Sequence, residues 1–165
     1  VTTQLRLFTD DDVEPLLAAF GDPEIARWNP GPTDEAGARK FVAGRNDWSG
    51  GDHVSWAIDV DGRLGGSVSL HHLSPAQSHC EVGYWVAPWA RRRGVATGAL
   101  RLATSYAFST LAMVRVFLYH SVDNPASCGV AGAAGFVYEG TLRQSYRYGG
   151  GDLHDEHLHA RLVTD

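Results

Sequence analysis

The densest chemistry in this sequence lies in the run Val86-Ala87-Pro88-Trp89-Ala90-Arg91-Arg92-Arg93-Gly94-Val95-Ala96-Thr97. It joins an apolar strand pattern to an amphipathic helical one, so a helix starts close to Gly94. A helix start leaves several backbone N–H groups unpaired and carries partial positive charge, and together these bind anions. Gly94 and Ala96 have little or no side chain, which lets a phosphate come up against the amides around Val95 and Thr97. Arg91, Arg92 and Arg93 add positive charge and forked donors suited to pyrophosphate. The sequence has neither GxxxxGK nor GxGxxG, which excludes a nucleotide P-loop and a dinucleotide turn and leaves a pyrophosphate site of another kind. The competing reading is a solvated basic loop ahead of an ordinary helix.

A second chemical group sits just upstream. Glu81 is the only charged side chain in Cys80–Val86, and strand alternation puts it on one face with Gly83 and Trp85. An ionised carboxylate in a buried strand needs a partner or a purpose. Glu81 is therefore a candidate base, with a plain ion pair or a strand-end carboxylate in water as the alternatives. The eight histidines show no zinc-enzyme spacing such as HExxH, so surface or substrate-pocket roles are expected and no metal. His157 and His159 fall on one face of the last strand, His71 and His72 on opposite faces, and His120 ends a strand where it is a fallback base. Trp28, Trp48 and Trp56 are candidates for an acceptor pocket, with core packing the favoured reading.

The elements that must position these groups follow from pattern and punctuation. A strand over residues 4–8 precedes a helix that Thr9 and Asp12 open as a capping box and that runs to about Phe20. Asp22-Pro23 starts a second helix, and Thr33 is expected to cap a third that runs to about Trp48. Strands follow over 53–60 and 63–73 around Asp61-Gly62, a tight hairpin dipeptide, then over 79–86. A helix over 95–109 leads to a strand over 114–120. Asn124-Pro125 opens a small-residue helix closed by Gly135, and strands over 136–145 and 153–163 flank Gly149-Gly150-Gly151.

Bulk properties narrow the function classes. The 165 residues suit one domain, with no linker, repeat or low-complexity tract. A net charge of −5, with one short basic cluster, argues against nucleic acid as a partner. No apolar run approaches the ~20 residues of a membrane span, and no secretory signal pattern opens the sequence. Cys80 and Cys128 lack metal spacing and read as free thiols, which fits a reducing cytoplasm. Nothing in the sequence supports a homo-oligomer.

The run Glu81-Val82-Gly83-Tyr84-Trp85-Val86, then Pro88, then Arg91-x-x-Gly94-x-Ala96 resembles the coenzyme A signature of the GNAT N-acetyltransferase superfamily. More narrowly it is similar to the RimJ/RimL-like branch, the ribosomal-protein N-terminal acetyltransferases. Asp22-Pro23-Glu24, Thr33-x-Glu35-Ala36, Asn124-x-x-Ser127, Gly135-Phe136, Asp155 and Ala160-Arg161-Leu162 match in the same order. The resemblance implies an α+β fold: a mixed, mostly antiparallel sheet of about seven strands flanked by helices, whose fourth and fifth strands run parallel and splay. It implies acetyl-CoA as cosubstrate, its pantetheine arm along Trp85 and Val86 and its pyrophosphate on the amides of Arg91 through Thr97.

The resemblance also implies direct acyl transfer to a primary amine, with Glu81 as an active-site carboxylate. A tyrosine that commonly protonates the departing thiolate in the superfamily is replaced here by Ala131, and the branch's serine, Ser127, takes that role; otherwise it is simply the third residue of its helix. Asn124 is expected to contact the coenzyme, to cap the helix, or both. The usual Glu-Lys pair before the terminal glycine is replaced by Gly132 and Ala133. An α-amine with pKa ~7.8 loses only about 1 kcal/mol to protonation at pH 7, against ~4.6 kcal/mol for a lysine-type amine, so a modest base suffices for the former. A non-catalytic acyl-CoA sensor and transfer of another acyl group such as succinyl are the alternatives. The acceptor, a peptide N-terminus or a small molecule, stays open.

Overall fold

Local turn chemistry sets the frame of the central sheet. Asp61 and Gly62 take φ values of 53° and 84°, the paired positive φ of a tight hairpin, and they join β2 (His53–Val60) to β3 (Arg63–Ser74). The computed structural model describes residues 2–165. Among these, β1 (Thr3–Arg6), β4 (His79–Val86), β5 (Arg115–Ser121), β6 (Val137–Arg147) and β7 (Leu153–Leu162) complete one seven-stranded sheet in the order β1-β2-β3-β4-β5-β7-β6. Only the β4–β5 pair is parallel among the described residues, and its ladder is short: His79 faces Arg115, Cys80 faces Val116 and Glu81 faces Phe117. Beyond Glu81 the two strands part, while β4 keeps its pairing to β3 as far as Val86.

Helices cover both faces. On one side lie α1 (Val13–Phe20), α2 (Pro23–Trp28) and α3 (Glu35–Asn46); on the other lie α4 (Val95–Ser109) and α5 (Pro125–Ala133). Strand alternation sorts the core accordingly. Val54, Trp56, Ile58, Cys80 and Val82 pack with Leu100, Ala103 and Ala107 of α4, whereas Ala57 and Trp85 pack with Leu16, Phe20 and Val42 of α1 and α3. Leu100 is wholly buried; truncating such a side chain to alanine costs roughly 2–5 kcal/mol.

Two starts differ from the sequence expectation. Thr9 and Asp12 do form a reciprocal capping box, but it closes a 3-10 turn over Asp10–Asp12 before α1 begins at Val13. Asp34, not Thr33, caps α3: its backbone is extended, and its carboxylate accepts a 2.7 Å bond from Gly37 N–H. An aspartate at this position also contributes charge toward the positive end of the helix, so it outcompetes the neighbouring threonine. Trp48 lies past the end of α3 and stacks edge-on with Trp56, 5.7 Å between ring centroids. Trp56 belongs to the core and the half-buried Trp48 packs against it, the packing role favoured from the sequence.

Candidate active site

The parting of β4 and β5 creates two cavities that meet between the strands. The first, about 500 Å³, is bounded by Trp85 and Val86 of β4, by Arg91 and Arg92, and by Gly94 through Thr97. The second, about 510 Å³, holds Glu81, His71, His72, His120, Tyr119, Tyr148 and Glu156. Trp28, Asn29, Tyr84, Asn124 and Ser127 border both. Of the three tryptophans singled out from the sequence, Trp28 is therefore the one at the cavities.

The first cavity has the parts that a diphosphate and an extended amide chain require. Gly94 sits at φ 75°, a left-handed conformation that favours glycine, and offers no side chain to cap α4. The first intrahelical bond runs from Gly98 N–H to Gly94 C=O, so the amides of Val95, Ala96 and Thr97 point out of the helix end without intrahelical partners. The parted edge of β4 supplies strand-like donors and acceptors over Val82–Val86, a stretch of roughly 16 Å at ~3.3 Å per residue. The arginines are not equivalent. Arg91 is held by Asp22 at 3.2 Å, and its hydrogen bond is the largest cause that lowers the Asp22 pKa. Arg93 is held 2.8 Å from Asp61 at the hairpin tip and does not border the cavity. Arg92, at φ 58°, borders the cavity and makes no ion pair among the described residues.

At the junction, the Asn124 side chain caps α5 by accepting from Ser127 N–H at 3.3 Å, so it caps the helix and faces the cavities together. The Tyr84 hydroxyl is buried and makes no hydrogen bond. Burial pushes its pKa up to about 12, with Ser127 close enough to oppose that rise. Sequence reasoning passed over Tyr84. The signal was present, because alternation turns it away from Glu81 and toward α5. Ala131, where a tyrosine is common in the superfamily, is buried and reaches neither cavity.

Glu81 stands at the last rung of the β4–β5 ladder. Its carboxylate lies 2.9 Å from His72 Nδ1 and 3.4 Å from His71 Nε2. Burial raises its pKa, but the bonds and charges of His71 and His72 together outweigh burial and bring it below the usual value. His71 and His72 thus converge on one carboxylate instead of facing apart. His72 takes a left-handed φ of 50° where the β3 register shifts, which defeats simple alternation. Gly83 makes the convergence possible: a Cβ there would stand 2.9 Å from the His71 ring. A second carboxylate, Glu156 on β7, is buried and accepts bonds from Ser145 at 2.6 Å and Tyr148 at 2.7 Å. Sequence reasoning missed it, because its partners come from the irregular end of β6 and the residue just beyond it. There Gln144 sits at φ 46°, and Asp155 accepts its N–H at 2.8 Å. His120 faces the second cavity and donates Nδ1–H to Ser121 C=O at 2.8 Å, and burial, as the largest cause, lowers its pKa.

A sheet that opens between its parallel fourth and fifth strands, with bare helix-end amides at the mouth, defines a class of acyltransferase. Comparison with known proteins agrees. The profile of the acetyltransferase (GNAT) domain matches residues 3–137. YdaF of Bacillus subtilis (strain 168), provisionally named a ribosomal N-acetyltransferase, is 30% identical over 92% of this chain and 86% of its own. The ribosomal-protein-serine acetyltransferase of Escherichia coli (strain K12) is 29% identical over 64% of this chain and 59% of its own. The solved structure of RimL, a ribosomal L7/L12 α-N-protein acetyltransferase in complex with coenzyme A, superposes with a TM-score of 0.86 at 26% identity, covering 99% of this chain and 95% of that one. The chain belongs to the GNAT family. It is an N-acetyltransferase with acetyl-CoA as cosubstrate and an amine as acceptor.

Proposed function

We propose that the protein acetylates the α-amine of a peptide or protein N-terminus, with the first cavity holding acetyl-CoA and the second the acceptor. The observation that carries this reading is the junction. Tyr84, Asn124 and Ser127 border both cavities, so a thioester reaching in from one side meets an amine entering from the other. The amides of Val95, Ala96 and Thr97, with Arg92, hold the diphosphate, and the β4 edge at Trp85 and Val86 holds the pantetheine amides. Arg91 and Arg93 serve by shaping the loop through Asp22 and Asp61.

The second cavity combines two carboxylates, Glu81 and Glu156, with the aromatic faces of Trp28, Tyr119, Tyr146 and Tyr148. That combination suits a cationic amine on a short, partly apolar stem. It is large enough for the first residues of a chain end, and relatives such as the ribosomal-protein-serine acetyltransferase of Escherichia coli and RimL support that reading. Glu81 draws in the ammonium, which gives up one proton to water to become the neutral nucleophile; as the amine nitrogen then bonds to the acyl carbon and the carbon–sulfur bond breaks, Glu81 accepts the second proton. His72, with its side chain 77% exposed, passes that proton to water. Ser127 and Tyr84 donate toward the departing thiolate sulfur, whose developing charge needs fixed dipoles. The two free thiols, Cys80 and Cys128, fit a cytoplasmic enzyme, and the 165-residue chain works as one catalytic domain.

Release of free thiol from acetyl-CoA, followed across an acceptor panel, tests the assignment. Short peptides with free N-termini should be turned over, and the same peptides blocked at the N-terminus should be inert. Glu81→Gln should keep coenzyme binding while kcat/KM falls by ~10²–10⁴. Turnover of polyamines alone, with every peptide inert, would refute the acceptor class.

A further inference from the structure

We propose that His120, Cys128, His157 and His159 form a tetrahedral binding site for one divalent metal ion, with Zn²⁺ the best match. The four side chains come from β5, α5 and β7, and their candidate ligand atoms all lie within 4.8 Å of one another. His120 Nε2 is 3.1 Å from His159 Nε2, which is 3.8 Å from Cys128 Sγ. A tetrahedral zinc ion with Zn–N of ~2.05 Å and Zn–S of ~2.3 Å holds its nitrogens roughly 3.3 Å apart and nitrogen from sulfur roughly 3.6 Å apart. The two edges seen here are already close to that figure.

The surroundings favour ligation. Because His120 Nδ1–H is committed to Ser121 C=O, its Nε2 carries a lone pair toward His159, the arrangement in which a backbone carbonyl orients a metal-binding imidazole. His157 Nδ1 and His159 Nδ1 are buried without hydrogen-bond partners, so the contacts within the cluster leave two of its ring nitrogens unsatisfied. Three imidazoles and one thiolate make a borderline-soft donor set that suits zinc and, as a spectroscopic stand-in, cobalt. All four positions are filled by protein, which marks the site as structural.

Such an ion ties α5 to β7 and to the end of β5, the elements that present Asn124, Ser127 and Glu156. It also removes His120 from contention as a base. Linear spacing hides the site, because only His157 and His159 are near one another in sequence. Metal binding at these four side chains does not depend on which amine is the acceptor.

Titration of the metal-stripped, reduced 165-residue chain with Co²⁺ tests it. One equivalent should bind, giving the intense visible bands of tetrahedral cobalt and a thiolate-to-cobalt charge-transfer band, both displaced by Zn²⁺. Cys128→Ser should abolish the charge-transfer band with the fold intact by circular dichroism. His159→Gln should weaken Zn²⁺ binding by at least the ~10–100-fold that loss of a supporting partner costs. His72→Gln should leave binding unchanged, since His71, His72 and Glu81 form the one other such cluster among the described residues. Absence of stoichiometric binding, a weak octahedral spectrum, or binding that survives Cys128→Ser and is lost in His72→Gln would overturn the proposal.

Discussion

Replacing Tyr84 with phenylalanine should make the protein more stable and less active at once. The ring stays packed against the apolar core beneath β4, and only the hydroxyl is removed. That hydroxyl is buried with no partner. A buried polar group left unsatisfied costs roughly 1–3 kcal/mol, whereas its deletion with shape preserved is close to neutral or favourable. Tyr84→Phe should therefore gain up to ~1 kcal/mol, which for a chain of this size raises Tm by about 2–4 °C.

Activity should move the other way. If the hydroxyl waits for charge that appears on sulfur, its loss should lower kcat by ~10²-fold, as when one preorganised donor is removed, with little change in KM for acetyl-CoA. Ser127→Ala, made alone and combined with Tyr84→Phe, completes a double-mutant cycle. If both hydroxyls serve the same sulfur, the losses should not add. The assays are thiol release at saturating peptide and thermal unfolding without ligand. A Tyr84→Phe protein with unchanged kcat would refute the role given to this side chain. One with lowered Tm would refute the claim that its hydroxyl is unsatisfied.

Gly94→Ala should raise KM for acetyl-CoA several-fold and cost roughly 1 kcal/mol of stability; a Cβ there meets nothing, but φ is 75°. The dependence of KM on coenzyme lacking its diphosphate separates lost anion binding from general damage. Because the Glu81 pKa is lowered, the carboxylate is ionised throughout the neutral range. The rise of kcat/KM with pH should then follow the acceptor, levelling near ~7.8 for an α-amine and continuing upward for a lysine-type amine. A common inflection for both acceptors would contradict this. Asp59 accepts a 2.9 Å bond from Arg6, the largest cause of its lowered pKa, so its stabilising contribution is complete above the unfolded pKa of ~3.9 and lost as pH falls through the lower folded value. Acid titration of Asp59→Asn should show a shallower loss of Tm below pH 4 than the parent.

What could be read from the sequence was whatever local pattern dictates. The Asp61-Gly62 hairpin, the helix start at Gly94, and the common face of Glu81 and Trp85 all follow from turn chemistry or period. Asn124 as cap followed from its place before Pro125. What escaped depends on partners distant in sequence or on local breaks in strand geometry. The loop arginines looked alike until Asp22 and Asp61 were seen to hold two of them. His71 and His72 looked opposed until a left-handed residue folded them onto one carboxylate. Glu156 looked ordinary until Ser145 and Tyr148 closed over it. In each case a backbone irregularity or a contact across tens of residues decides the chemistry, and neither leaves a periodic trace.

The early end of the β4–β5 ladder has a consequence for exchange behaviour. Past Glu81 and Phe117, backbone amides of both strands that would have faced each other are left to solvent or to a bound molecule. They should trade hydrogen for deuterium quickly in the free protein and slowly once a pantetheine arm lies between them, while β4 amides turned toward β3 stay protected in both states. A labelling time course across residues 82–86 would thus report occupancy of the cleft without any turnover.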